Sequence, residues 1–347
     1  MKHAVLRAGL FGILLAGCVA EPVPLPSSDG AGRVAARAEP CAAVAAASET
    51  VRVANDFGRI EGTLEVPEGC GPLPVVLILS GSGTSDRNGN VPGEREQPHI
   101  YRVLSETLVA AGFAVLRYDD AGIAGSVSGA PAKVEDFRFD HEVADAARFV
   151  AELRKDARFG AVVVAGHSQG SLTGIMANQL QPIDALISLA GTGRPIAQLL
   201  REQLEKRLSE QELALLDAAL AKLQKGELVG KLAAPLDSIL PVEQQPYMIS
   251  WMRVRPEDEL RKLKVPTLSV QGKMDLQVQE LDAELLFDAK PDATLTLVDD
   301  MGHMLRQVRA KTAAAQKDSY AKALPLHPAA VTAMSDFIAK VGAVPKR

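Results

Sequence analysis

Apolar and polar positions change rhythm twice along this chain. Thr50-Val-Arg-Val-Ala54 and Ile60-Glu-Gly-Thr-Leu-Glu-Val66 alternate, with Asn55-Asp56-Phe57-Gly58 between them. Alternation turns one face of a strand to the core and the other to water, so the pair predicts a half-exposed antiparallel hairpin. From Pro74 the pattern becomes continuous apolar runs: Val75–Leu79, Phe113–Leu116, Ala161–Ala165, Ala185–Ala190, Thr267–Val270 and Thr294–Val298. Strands without alternation are buried on both faces, and strands separated by helical segments build a parallel sheet. The intervening segments predict helices near 99–111, 139–155, 168–180, 277–289 and 327–341. The order is an antiparallel start followed by a mostly parallel, doubly wound α/β sheet.

More than seventy residues between Ala190 and Thr267 break that alternation. Leucines at 199, 200, 204 and 208, then at 213, 216, 220 and 223, recur at three- and four-residue steps. Ser209 and Glu212 have the spacing of a capping box, which divides the segment into two helices, the second ending at Gly226. Such a pair serves as plain core packing or, inserted at about 192–262, as a lid over the carboxyl edge of the sheet, where open α/β sheets bind ligands.

Composition adds limits. A chain of 347 residues, 47% hydrophobic and 23% charged, has ample material for a core, and its length suits one large α/β domain with an insertion. A net charge of -5 gives no electrostatic footprint for nucleic acid. No segment after residue 20 is long and apolar enough to span a bilayer. The first residues differ. Lys2 and Arg7 precede a short apolar stretch, Ala8 to Ala16, and then Leu15-Ala16-Gly17-Cys18. Residues 1–17 read as a secretory signal. Leu-Ala-Gly-Cys resembles the lipobox of bacterial lipoproteins, which implies lipidation of Cys18, a bilayer anchor and a place in the bacterial cell envelope, periplasmic or extracytoplasmic. An ordinary cleaved signal is the alternative. Residues 18–48, rich in Ala, Pro, Ser and Gly, read as a tether, and 49–347 as the folded domain. With Cys18 lipidated, Cys41 and Cys70 remain as two thiols or as a disulfide, which would contribute on the order of 3 kcal/mol. No C-x-x-C or H-E-x-x-H suggests a metal, and no cofactor is implied.

The chemistry concentrates in Gly166-His167-Ser168-Gln169-Gly170, which follows an apolar run and precedes a helical pattern. In that strand-to-helix context a G-x-S-x-G pentapeptide lifts the serine hydroxyl above the sheet, so Ser168 reads as a nucleophile. A serine hydroxyl needs a base, and the base needs an acid to orient it. His303, directly after the last strand in Asp299-Asp300-Met301-Gly302-His303, is the candidate base, while His327 at a helix start reads as a turn residue. Asp275, after the strand ending at Gly272, is the candidate acid. Asp299 and Asp300 read as solvated, and Asp282 and Asp288 as surface charge on a helix. The oxyanion donors would be the N–H groups of Gln169 and of Ser82, the latter in Leu79-Ser-Gly-Ser-Gly-Thr84.

The serine, acid and histidine fall in the chain order of the α/β-hydrolase family, which residues from about 50 to 342 resemble. Ser80-Gly-Ser-Gly-Thr-Ser-Asp-Arg-Asn-Gly-Asn90, Arg117-Tyr-Asp-Asp-Ala-Gly-Ile-Ala-Gly-Ser126 and Gly166-His-Ser-Gln-Gly170 narrow the resemblance to bacterial esterase D-like carboxylesterases. Asn88 stands where that group commonly has an acid, and Ala121 where an arginine is usual. Asp86, Arg87, Asp119 and Asp120 read as loop-bracing residues. The resemblance implies a serine esterase acting on small-molecule esters without a cofactor. A peptidase or thioesterase with the same triad remains open, as does a non-catalytic envelope lipoprotein that binds lipids or proteins through the helical insertion.

Overall fold

The computed structural model describes residues 42–343. The signal segment, Cys18 and Cys41 lie outside them. Chain order begins with β1 (Ala42–Val44), β2 (Ala47–Ala54), β3 (Arg59–Val66), β4 (Gly69–Gly71) and β5 (Leu73–Leu79). Next come α1 (Ile100–Ala110), β6 (Ala114–Tyr118), α2 (Phe139–Leu153), β7 (Phe159–His167), α3 (Gln169–Leu180) and β8 (Ala185–Leu189). The insertion carries α4 (Ile196–Glu205), α5 (Glu210–Gln224), α6 (Leu236–Ile239), α7 (Gln245–Met252) and α8 (Pro256–Lys262). The chain closes with β9 (Thr267–Gly272), α9 (Glu280–Ala289), β10 (Thr294–Val298), α10 (Ala313–Ala321) and α11 (Pro328–Gly342).

Eight strands form one sheet in the order β10-β9-β8-β7-β5-β6-β3-β2. The pairs from β10 across to β6 are parallel, whereas β3 runs antiparallel to β6 and β2 antiparallel to β3. This is the antiparallel start and parallel body that the hydrophobic pattern predicts. Successive residues of a strand face opposite sides. Leu77, Val162 and Val164 therefore join Phe139 and Phe149 of α2 and Leu172 of α3 in one core. Val76, Ile78 and Val163 join Leu104 and Leu108 of α1 and Met334 and Ile338 of α11 in the other.

Three features differ from the expectation. The fold begins before residue 49: β1 pairs antiparallel with β4, Ala43 opposite Cys70, and β2 starts at Ala47, so residues 42–48 are not tether. Their Ala- and Ser-rich composition hides this, because backbone pairing needs no apolar side chains. The insertion holds more than two helices. Its leucine pair is present, with Ser209 capping α5 and exchanging hydrogen bonds with Glu212, and Leu200, Leu204, Leu216, Leu220 and Leu223 form a third core. The shorter α6, α7 and α8 complete it; two of them open with proline at the first turn. Finally, Asp282 is fully buried, not surface charge. Its carboxylate accepts from the N–H groups of Gly193 and Arg194 and pairs with the Arg194 guanidinium, tying α9 to the start of the insertion. Asp288 is exposed, as expected. Among the described residues, no helix is long and apolar enough to cross a membrane.

Candidate active site

Ser168 sits between β7 and α3 with φ 54° and ψ −121°, a region that costs a non-glycine residue on the order of 1–3 kcal/mol. The turn is held by the Ser168 N–H, which donates to Leu189 O at 2.8 Å. Its two glycines are required by close approach: a Cβ on Gly166 would lie 2.2 Å from Gly170 O, and one on Gly170 would lie 2.4 Å from Ser80 O. The second contact presses the loop after β5 against the elbow. A Cβ on Gly81 in that loop would lie 3.3 Å from Ser168 Cβ. Ser82 and Gln169 line the same cavity. As the first residue of α3, Gln169 has an N–H without an intrahelical acceptor.

His303 and Asp275 are brought together. The imidazole Nδ1 lies 2.7 Å from Asp275 Oδ2, and both side chains are buried. The other Asp275 oxygen accepts from the N–H groups of Gln277 and Val278, at 2.7 and 3.0 Å. Gln271 Nε2 donates to Oδ2 at 3.3 Å. This fixes the carboxylate without help from Asp299 or Asp300. Asp299 pairs with Lys273, and Asp300 with His327, whose Nδ1 caps α11 by accepting from the Ala329 N–H. The His303 ring is 4.8 Å, centroid to centroid, from that of His167, the residue before Ser168.

The bracing residues hold the loops around the elbow. Asp119 receives the backbone N–H and the guanidinium of Arg87 and the N–H of Gly125. Asp86 receives the N–H groups of Asn88 and Asn90, each at 2.9 Å. Asn88, the departure from the esterase D-like loop, accepts from Arg117 at 2.6 Å. Asp120 receives the Ser80 hydroxyl and the Ser85 N–H, each at 2.7 Å. Burial nevertheless pushes its carboxyl up to about 7.

A cavity of about 530 Å³ opens beside the elbow. Its walls come from the loop after β5, from Ala121 and the following turns, from α2, and from the insertion through Ile196, Leu200, Tyr247, Met248 and Trp251. The insertion thus covers the carboxyl edge of the sheet. Asp120, Glu142 and Asp145 line this cavity and, among the described residues, no Lys, Arg or His does. Gln169 Nε2 donates to Glu142 Oε2 at 2.6 Å and to the Tyr247 hydroxyl at 2.8 Å. Burial, then the neighbouring Asp120 charge, pushes Glu142 up to about 8, and burial takes Asp145 to about 6. Among the described residues, no group of His, Cys, Asp or Glu could hold a metal ion.

Four contributors escape a reading of the sequence. Glu142 and Tyr247 clamp the Gln169 side chain. Tyr101 and His167 form a buried chain on the other side: the Gly81 N–H donates to Tyr101 Oη at 2.7 Å, Tyr101 Oη lies 3.1 Å from His167 Nδ1, and His167 Nε2 lies 2.9 Å from His303 O. Burial, with the adjacent His303, lowers His167 to about 3, which keeps it neutral. Only the position of His167 inside the pentapeptide marks it in the sequence.

Comparison with known proteins agrees with this architecture. The alpha/beta hydrolase family matches residues 75–315. Esterase EstD of Thermotoga maritima is 24% identical over 249 residues, which cover 71% of this chain and 58% of that esterase's length. Among solved structures, Est1E from Butyrivibrio proteoclasticus superposes with a TM-score of 0.56 at 19% identity, covering 85% of this chain and 99% of its own. The Pyrococcus furiosus esterase PF2001 gives 0.53 at 18% identity, covering 75% and 84%. The family match spans more than half of the sequence and includes the elbow, Asp275 and His303, so the chain belongs to the alpha/beta hydrolase family.

Proposed function

We propose that this protein is a serine hydrolase that cleaves carboxylic esters through an acyl-enzyme. The observation that carries the reading is the buried Asp275–His303 hydrogen bond, together with a strained serine elbow whose next residue, Gln169, lines a cavity. Asp275 fixes the proton on His303 Nδ1, which leaves Nε2 to accept the Ser168 proton as Oγ attacks the carbonyl carbon. The carbonyl oxygen becomes an oxyanion, held by the N–H groups of Ser82 and Gln169; one such donor is typically worth ~3–4 kcal/mol. Protonated His303 then gives its proton to the departing alkoxide. Water, deprotonated by His303, attacks the acyl-enzyme, and the acid leaves with Ser168 restored.

The relatives named as esterases support ester chemistry. The mixed lining, aromatic and aliphatic from the insertion and polar near α2, suits a small ester with an apolar part. The envelope reading is part of the proposal: cleavage after Gly17, lipidation of Cys18 and anchoring in a bilayer, supported by the sequence from Lys2 to Cys18. A Cys41–Cys70 disulfide fits it, supported by the disulfide-bonded state of Cys70 and by a register that sets Ala42 opposite Gly71. Palmitate labelling of wild type but not of Cys18→Ser is the expected outcome for the anchor.

The deciding experiment is turnover of p-nitrophenyl esters from acetate to laurate by wild type and Ser168→Ala. Hydrolysis by wild type alone is expected. If neither turns over an ester but a fluorophosphonate labels Ser168, the enzyme is a selective peptidase or thioesterase. If the probe does not label, the chain is a binding protein.

A further inference from the structure

Hydrogen-bond direction in the buried chain from Gly81 to His303 admits a single arrangement of protons. His303 O can only accept, so the proton of His167 is on Nε2, and Nδ1 must accept. Among the described residues the partner at Nδ1 is Tyr101 Oη, which therefore donates there. Its remaining lone pairs face the Gly81 N–H, which can only donate. Every group in the series is satisfied, and its two side chains lie away from water: Tyr101 and His167 are 6% and 4% exposed. A neutral His167 is required, since an imidazolium would turn a second N–H toward Tyr101 and leave the hydroxyl facing two donors. The low pKa of His167, set by burial, agrees.

The chain connects the parts that must be in register for acyl transfer. Gly81 precedes the oxyanion donor Ser82, His167 precedes Ser168, and the last acceptor is the backbone of the base itself. Tyr101 comes from a different element, α1, and bridges the loop to the elbow. We propose that Tyr101 and His167 are positioning residues that lock the oxyanion loop, the nucleophile elbow and the His303 loop into one rigid arrangement. The proposal rests on the hydrolase reading above. The hydrogen bonds of both residues run to backbone groups and to each other, not to Ser168 Oγ or the ring nitrogens of His303. Their effect belongs in the tetrahedral state, where donor placement matters most, and not in ground-state binding.

The test is Tyr101→Phe, which removes one hydroxyl and leaves Gly81 without an acceptor and His167 Nδ1 without a donor. Expected is a fall in kcat of about tenfold or more with KM within about twofold, and a matching rise in Ki for butylboronic acid, which forms a tetrahedral adduct with the serine. A residue that served folding alone would change Tm but leave kcat and the boronate Ki untouched at temperatures where the variant is folded, and that result overturns the proposal. His167→Gln, which keeps an amide donor for His303 O, should retain more activity than His167→Leu; equal losses would also overturn it. Should the variants fail to fold, long-range ¹H–¹⁵N spectra of the wild type decide: His167 is expected as the neutral Nε2–H tautomer at pH 7 and at pH 5. The Nδ1–H tautomer or an imidazolium at pH 5 refutes the arrangement. Wild type without turnover and without boronate binding removes the hydrolase reading, and the proposal falls with it. An active wild type beside an unchanged Tyr101→Phe removes the proposal alone.

Discussion

Two inward-facing carboxyl groups flank the serine elbow, and they live in different surroundings. Asp275, at the end of β9, accepts hydrogen bonds from two backbone N–H groups, the Gln271 amide and the His303 imidazole. Glu142, on α2, receives the Gln169 amide and the Tyr247 hydroxyl, and two other carboxyls line its cavity. Both are held by hydrogen bonds to the rest of the molecule, and burial drives Glu142 up to about 8. What differs is the set of donors, four around Asp275 and two around Glu142. On the proposed reading Asp275 stands beside an imidazolium formed during catalysis, while Glu142 stays neutral at pH 7 and clamps a neighbour.

Substitutions break this contrast in order of size. Ser168→Ala and His303→Ala should each lower kcat by about 10⁴-fold or more, with the double variant no worse than the singles, because the residues act as a unit. Single-turnover assays with p-nitrophenyl butyrate check this; additive losses would separate the two residues. Asp275→Asn keeps the shape but offers His303 the wrong proton, and should cost about 10³–10⁴-fold in kcat. Glu142→Gln, the same change on the other carboxyl, should cost at most about tenfold, since the amide still accepts from Gln169. Comparable losses at the two positions would erase the distinction.

The cavity gives a third prediction. At pH 8, with Asp120 and Asp145 ionised and no Lys, Arg or His among the described residues of its walls, kcat/KM for p-nitrophenyl hemisuccinate should be about tenfold or more below that for the butyrate ester, as like charges are brought together out of bulk water. Equal rates would show that the acyl group does not face these acids.

The smallest effect is on stability. Glu142 has an ordinary value near 4.5 and a folded value of about 8, so folding takes up a proton between those limits. The group's contribution is complete below about pH 4.5 and is lost as pH rises through 8. Wild type should therefore lose Tm relative to Glu142→Gln on going from pH 5 to pH 8, and parallel curves would place Glu142 in contact with bulk water.

Much of this was legible before the fold. Buried parallel strands betray themselves as unbroken runs of Val, Leu and Ile, and the triad candidates follow from the pentapeptide, the last strand and the order of residues. Glu142 and Asp282 were not legible because each sits at a polar position of an amphipathic helix, where charge reads as a solvated face. Each is buried by a partner far off in sequence: Tyr247 lies about a hundred residues from Glu142, and Arg194 some ninety from Asp282. The β1–β4 ribbon escaped because Ala and Gly carry no periodicity. The role of Tyr101 depends on where a single hydroxyl ends up, which no pattern records.

The acidic chamber also bears on how a cycle ends. Ester hydrolysis converts a neutral molecule into an alcohol and a carboxylate. On the proposed esterase reading, a carboxylate released beside the ionised Asp145, with no Lys, Arg or His among the described residues of the lining to receive it, would bind more weakly than the ester it came from. On that reading the chamber favours release of its own product, and turnover would stay forward-directed even where the liberated acid accumulates.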